Sequence, residues 1–221
     1  MEVAPVAGSQ IHGKTDRATT SCLAIPCGGS LSTSGTGPSW APPKGQFAIG
    51  FEHRYDDGTE PCPCWEYATY VYRGRASVKL SDLPKNVATA TLLLDVKKFE
   101  NSSGGSQDGL ITGMFRKDQA PLAQGADFSS PLSPSLVTDP VIVPFPANIP
   151  PAFPPNGPSV MKTGSVISVD VSVPVLDAIK QGKSWIQFVF VGPNEALQPK
   201  TNGVFAALIE PKLKVVFNPK P

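Results

Sequence analysis

Charge is what this chain has least of. Only 17% of its 221 residues are Asp, Glu, Lys or Arg, and 19 basic against 18 acidic side chains leave a net charge of +1. With no basic field or dense Lys/Arg cluster to hold a polyanion, nucleic acid is not an expected partner. Long apolar runs are missing too. None reaches the roughly 20 residues a membrane helix needs, so no membrane span is expected. The opening MEVAPVAGSQ has neither the basic nor the apolar stretch of a secretory leader. Histidine is scarce: His12 and His53 are the two neutral-pH bases. Neither a G-x-S-x-G elbow nor an H-E-x-x-H pair occurs. A non-enzymatic protein is therefore expected. Were it a polysaccharide hydrolase or lyase, distant strands would have to bring two carboxylates together. Asp95 and Asp170 lie on polar strand faces, where a solvated role suffices.

What fills the space is 25 Pro and 20 Gly among many Ser and Thr, with 40% hydrophobic residues. That mixture suits a β protein with long ordered loops. The stretch from Tyr72 to Val96 shows the pattern best. Tyr72, Ala76, Val78 and Leu80 share one strand side, and Arg73, Arg75, Ser77 and Lys79 share the other, which is expected to be wet. After a turn at Pro84 and Asn86, the residues Ala90, Leu92, Leu94 and Val96 alternate with Thr89, Thr91 and Asp95. Phe47, Ile49 and Phe51 mark an earlier strand. Leu110 to Phe115, Val141 to Phe145 and Ile167 to Val173 mark later ones. The run WIQFVFV, Trp185 to Val191, reads as a strand buried on both faces. Val204 to Ile209 and Lys212 to Asn218 read as closing strands. Between them lies one helix, Pro174 to Lys180, with Ser172 as its cap and Gly182 as its stop.

Residues 1–45 are Gly-, Ser-, Thr- and Pro-rich with little periodicity. They read as an N-terminal arm, ordered only where cysteines or a strand anchor it. Residues 46–221 read as a single β domain with a Pro-rich insertion at about 120–158, where dense prolines exclude a central ladder. The four cysteines form two close pairs, Cys22 with Cys27 and Cys62 with Cys64. Four cysteines allow three disulfide connectivities. A bridge across the single Pro63 would be strained, which favours cross-pairing and an oxidising compartment. A zinc site from Cys62, Cys64, His53 and Cys22 or Cys27 is the other use of these residues, and free thiols a third. Asn101-Ser102-Ser103 is a glycosylation sequon.

Two separated blocks, RASVKLSDLPKNVATATLLLDV and ISVDVSVPVLDAIKQGKSWIQFVFVGPNE, with EPKLKVVFN at the end, resemble the DNRLRE-domain family. These are extracellular jelly-roll modules similar to carbohydrate-binding β-sandwiches. The blocks cover roughly a quarter of the chain and bracket most of the rest. The turn at Leu83-Pro84 is shorter than the family's, and the Asp-Asn-Arg-Leu-Arg-Glu signature itself is absent. The resemblance implies an all-β fold, a two-sheet jelly-roll sandwich with one short helix and long Pro/Gly-rich loops, and a secreted or cell-surface role in adhesion or glycan attachment.

On that reading the chain is a non-catalytic extracellular or cell-surface module that binds glycan or a surface polysaccharide. The alternative is a structural subunit of an extracellular filament or coat, self-assembled by strand or arm exchange. Aromatic faces stack on sugar rings, and Trp40, Tyr55, Trp65, Tyr67, Tyr70 and Tyr72 lie close in sequence. Tyr55, Trp65 and Tyr67 are the expected platform, and core packing is the other use of such residues. Arg73 and Arg75 would hold an acidic sugar through paired hydrogen bonds, unless they merely bridge local acids in solvent. Asp56, Asp57 and Glu60, with Glu66 near by, would bind structural calcium, unless they form a plain solvated turn.

Overall fold

Two-residue alternation dominates the chain, and in the computed structural model it produces antiparallel pairing throughout. The structure describes residues 1–19, 42–56, 64–101, 113–121, 141–143, 163–192 and 203–218. They form ten strands: β1 (Glu2–Val3), β2 (Val6–Thr19), β3 (Phe47–Asp56), β4 (Cys64–Lys79), β5 (Val87–Asn101), β6 (Gly113–Lys117), β7 (Val141–Val143), β8 (Val166–Asp170), β9 (Trp185–Val191) and β10 (Gly203–Phe217). One helix, α1 (Ser172–Lys180), joins β8 to β9, and a 3-10 turn, Leu80–Asp82, follows β4. The fold is all-β.

The strands run β7-β6-β9-β4-β3-β10-β5-β8, with β1 added to β10 and β2 added to β4. With β2 along one edge of β4, β9 and β3 lie end to end along the other. The sheet is curled, and helix α1 touches both β5 and β9. Val78, Leu92, Val169 and Phe188, from four separate segments, meet in one core. The Phe47 and Phe190 rings stack inside it at 4.9 Å and 11°. Each such side chain contributes about 1.5–3 kcal/mol by leaving water.

The bend falls within β4. From Glu66 to Tyr72 this strand pairs with β3, and from Gly74 to Lys79 it pairs with β9, while β2 runs along its other edge throughout. Its alternation changes phase there. Val71 and Ala76 face the same core, whereas Tyr72 joins Ala48, Tyr70 and Ala206 on the opposite side. Gly74 faces the core, and a Cβ at that position would collide with the Phe47 ring. The expected grouping of Tyr72 with Ala76, Val78 and Leu80 thus fails at one point, where the strand changes partner. Ala48 of β3 lies two residues beyond Gly50, the last residue of β3 paired with β4. Its amide donates to the Ser9 hydroxyl at 2.6 Å, and that hydroxyl donates back to the Ala48 carbonyl at 3.2 Å. Buried backbone groups must be paired somewhere, and a serine from β2 supplies the partner here.

The expected arm contains structure: β2 is a 14-residue strand, hidden from periodicity by its Gly, Ser and Thr content. The two expected closing strands are one, because β10 runs through Pro211. That proline falls between the end of the β3 ladder at Ile209 and the start of the β1 ladder at Leu213. A residue without an N–H is tolerated where that edge is open. Helix α1 begins at Ser172, two residues before the expected start. Ser172 does not cap from outside: its amide and hydroxyl both donate to Asp170 Oδ1, at 2.9 and 2.6 Å. Gly182, at φ 67°, ends the helix, with Gly182 N bonded to the Ile179 carbonyl and Lys183 N to the Ala178 carbonyl.

Candidate functional site: a cationic cleft beside the strand corner

Beyond the corner, the side of β4 that faces away from the core carries Arg75 and Ser77. Both were expected in water. Both are buried, Arg75 to 3% exposure, and Arg73 is buried with them, while Lys79 alone is exposed. The second face of this arm is covered, so alternation does not here mean one wet side.

Arg75 and Ser77 help line a cleft of about 270 Å³. Val6, Ala7 and Gly8 of β2 continue the lining, Pro42, Pro43, Lys44 and Gln46 form the stretch before β3, and Pro121 follows β6. The register explains the floor. Gly8 pairs with Arg75, and a Cβ on Gly8 would lie 3.5 Å from Arg75 Nη2. Ser77 pairs with Val6 on one side and Gln187 of β9 on the other, and Gln187 pairs with Lys117 of β6. Val6, Ser77, Gln187 and Lys117 thus form one cross-strand row.

Polar contacts in this row are few. Gln187 Nε2 donates to Ser77 Oγ at 2.9 Å. Gln187 is 1% exposed, yet its Oε1 has no hydrogen-bond partner. Lys117 is 7% exposed and forms no ion pair among the described residues. Burial lowers its ammonium pKa below the ordinary lysine value, and the positive charges of Arg73 and Arg75 lower it further. Burial likewise lowers Arg75 below the usual guanidinium range. Lys117 thus lies within the field of two other cations.

Arg116, next to Lys117, points the other way and is satisfied. Its Nε donates to Asp118 Oδ1 and its Nη1 to Asp177 Oδ2 of α1, both at 2.7 Å. Burial alone would lower its pKa, but the two carboxylates outweigh it and hold the value above normal. Neighbouring residues on one strand therefore divide into a paired cation and a crowded one.

The aromatic positions separate from this cleft. Register places Tyr55 directly across from Tyr67 and Asp56 across from Glu66, with Trp65 two residues before Tyr67. Tyr55 and Tyr67 are thus register partners on the β3–β4 pair, whereas Arg75 lies beyond the corner, where β4 pairs with β9. Of the other aromatic candidates, Tyr70 and Tyr72 are buried, and Tyr72 donates its hydroxyl to Glu52 Oε2 at 2.8 Å. Core packing is their role. Trp40 lies outside the described residues.

Among the described residues no group of three metal-ligating side chains occurs. Asp57 and Glu60 lie outside the described residues, as do Cys22, Cys27 and Cys62. Cys64 begins β4, opposite Thr19. His53 is buried against the Phe51 ring at 4.8 Å between centroids, and burial lowers its pKa. Asp95 is taken up by Lys97, which also reaches Glu210 at 3.1 Å, and Asp170 serves the start of α1.

Comparison of the chain with family models and with curated proteins gives no match.

Sequence reasoning found Arg73 and Arg75 but missed Lys117, Gln187 and Lys44. Lys117 lies in a short strand two neighbours away from β4, a relation created only by strand order. The one local signal was Gln187, a lone polar residue inside WIQFVFV. A buried polar group in an apolar run needs a polar neighbour on the next strand.

Proposed function

We propose that the protein is a non-catalytic extracellular or cell-surface module that binds glycan, built on a two-sheet jelly-roll form of the curled sheet. One observation carries this reading: the cleft of about 270 Å³, floored by Arg75 and Ser77 and walled by Pro42, Pro43 and Pro121. Its size suits part of a saccharide rather than a macromolecular groove. Proline and aliphatic walls offer an apolar face to a sugar ring, and the polar floor supplies hydrogen bonds. The likeness of the β4–β5 and β8–β9 blocks to DNRLRE-domain modules supports the same class. Tyr55, Trp65 and Tyr67 form a separate stacking candidate on the β3–β4 pair, and calcium at Asp56, Asp57 and Glu60 would be structural.

A glycan array probed with the intact chain tests this. Binding to a defined saccharide set, weakened at least tenfold by substitution of a cleft residue, is the expected result. No binding across neutral and acidic saccharides alike overturns it. If Trp65→Ala leaves affinity unchanged, the aromatic platform is dismissed and the cleft stands alone.

One observation favours the filament or coat reading. β8 pairs only with β5 among the described strands, and Val166 on it is exposed. An edge of this kind accepts a strand from a neighbour. Concentration-dependent assembly by size exclusion, abolished by Ser168→Pro on that edge, would support it. A monomer at all concentrations would remove it.

A further inference from the structure

We infer that β8 is a self-pairing edge: two copies of the chain join through it, antiparallel, about a two-fold axis at Ser168. This lies outside the glycan reading and narrows the assembly reading, because an edge paired with its own copy closes as a dimer and leaves nothing to extend. Hydrogen-bond parity sets the geometry. In an antiparallel ladder alternate residues bond one neighbour, and those between turn their backbone groups to the other side. Two bonds to β5 bracket β8: the Val96 amide donates to the Ser165 carbonyl at 2.8 Å, and the Val171 amide donates to the Ala90 carbonyl at 2.9 Å. Ile167 and Val169, between them at the same parity, therefore bond toward their partners Leu94 and Leu92. Val166, Ser168 and Asp170 turn their N–H and C=O groups to the edge, where no strand lies among the described residues. All three are exposed. Neither Lys nor Pro blocks this edge.

The side-chain pattern names the occupant. An antiparallel pair centred on Ser168 sets Val166 opposite Asp170 of the second copy, Ile167 opposite its Val169, and Ser168 opposite its Ser168. The edge-facing residues of the two copies then meet in narrow pairs that exchange both hydrogen bonds. On the inner face Ile167, partly buried against the core, meets the buried Val169 of the other copy. On the outer face Asp170, the one charged residue of the strand, meets a valine, and the two aspartates lie at opposite ends. A parallel pair would set Asp170 beside Asp170, which is unfavourable. The next carboxylate in that row, Asp95 beyond Val166, is already paired with Lys97. Val166 and Val173, at 57% and 78% exposure, flank the two ends of the edge. Antiparallel pairing brings the Val166 end of one copy to the Val173 end of the other, so each exposed valine gains an apolar neighbour.

Sedimentation velocity on the intact chain, from low micromolar to near-millimolar concentration, tests this. A five-residue edge is small beside a standard interface, so a weak dimer in the micromolar range is expected. Ser168→Lys and Ser168→Asp each place like charges across the axis and should raise the dissociation constant at least tenfold. Ser168 is exposed and its amide points away from β5, so both variants should keep the parent Tm. Mixed one to one, they should form a heterodimer at least as tight as the parent dimer, a rescue specific to an axis through Ser168. A monomer at near-millimolar concentration overturns the inference. So does a dimer that both variants leave intact, or one that the mixture fails to restore. Species that keep growing past the dimer overturn it in favour of the filament reading. The glycan array is decided separately, since the cleft residues are not on this edge.

Discussion

The two sides of β4 beyond its corner are buried alike and built for opposite ends. Toward the core, Gly74, Ala76 and Val78 meet Phe47, Phe190, Phe188 and Ile186. There burial stabilises, because only apolar surface is removed from water. Away from the core, Arg75 and Ser77 meet Gln187, with Lys117 one strand further on. There burial strips water from charges and from an amide oxygen, and it costs stability unless something polar replaces the water. Exposure values alone do not distinguish these faces. What distinguishes them is what is buried: carbon on one side, and on the other an amide oxygen without a hydrogen-bond partner and a lysine that two arginines repel.

The sharpest break of that contrast is made on the core side. Phe188→Ala should cost about 3–5 kcal/mol by opening a cavity among fully buried neighbours. Gly74→Val should be at least as damaging, since its side chain would have to displace the Phe47 ring and, with it, the stack on Phe190. Urea denaturation monitored by tryptophan fluorescence gives both values. If Gly74→Val unfolds with the parent midpoint, the corner geometry described for β4 is wrong.

Much of the core side was legible beforehand, for a physical reason. Val78, Leu92, Val169 and Phe188 belong to strands whose alternation is set by the pleat, so each announces its face locally. The helix was legible because Gly182 carries a terminating signal that does not depend on tertiary neighbours. The other side was not legible. Arg75 and Ser77 look like solvent residues, because sequence does not show that a second layer covers them. The phase change between Tyr72 and Gly74 depends on β4 trading β3 for β9, a partner more than 100 residues away. β2 was hidden because its Gly, Ser and Thr leave no apolar pattern, and Ser9 is there for backbone pairing. The candidate platform was legible only in part: strand parity joins Trp65 to Tyr67, but Tyr55 joins them through register alone.

On the polar side the expected sign is reversed. Lys117→Met removes a cation that two arginines repel and leaves a stem of similar length on a covered face. Folding stability in ligand-free buffer should rise, by about 1 kcal/mol or a few degrees in Tm. The linkage has the matching sign. A lysine whose folded pKa is lowered destabilises the fold while it is charged, and that penalty is relieved as pH rises through the lowered value. The stability gain of Lys117→Met should therefore shrink toward high pH. A loss of stability at neutral pH would mean that Lys117 is held by a compensating charge, and the contrast between the two faces would dissolve.

The smallest effect belongs to the cation that has its partners. Hydrogen bonding from Arg116 holds the Asp177 carboxyl below the ordinary aspartate range, and Gln181 and Lys180 on the same helix add to this. A depressed carboxylate contributes stability that is present above the unfolded pKa and is lost as pH falls through the folded value. Asp177 is half-exposed, so solvent and salt screen much of the interaction. Asp177→Asn should therefore lower the urea midpoint only slightly at neutral pH and by less in high salt, and acidification should bring parent and variant together. Arg116 keeps Asp118 in the variant, which limits the damage. If instead the variant loses as much as Phe188→Ala, the contact between α1 and β6 is holding the curled sheet closed, and the apolar core is not sufficient to set its curvature.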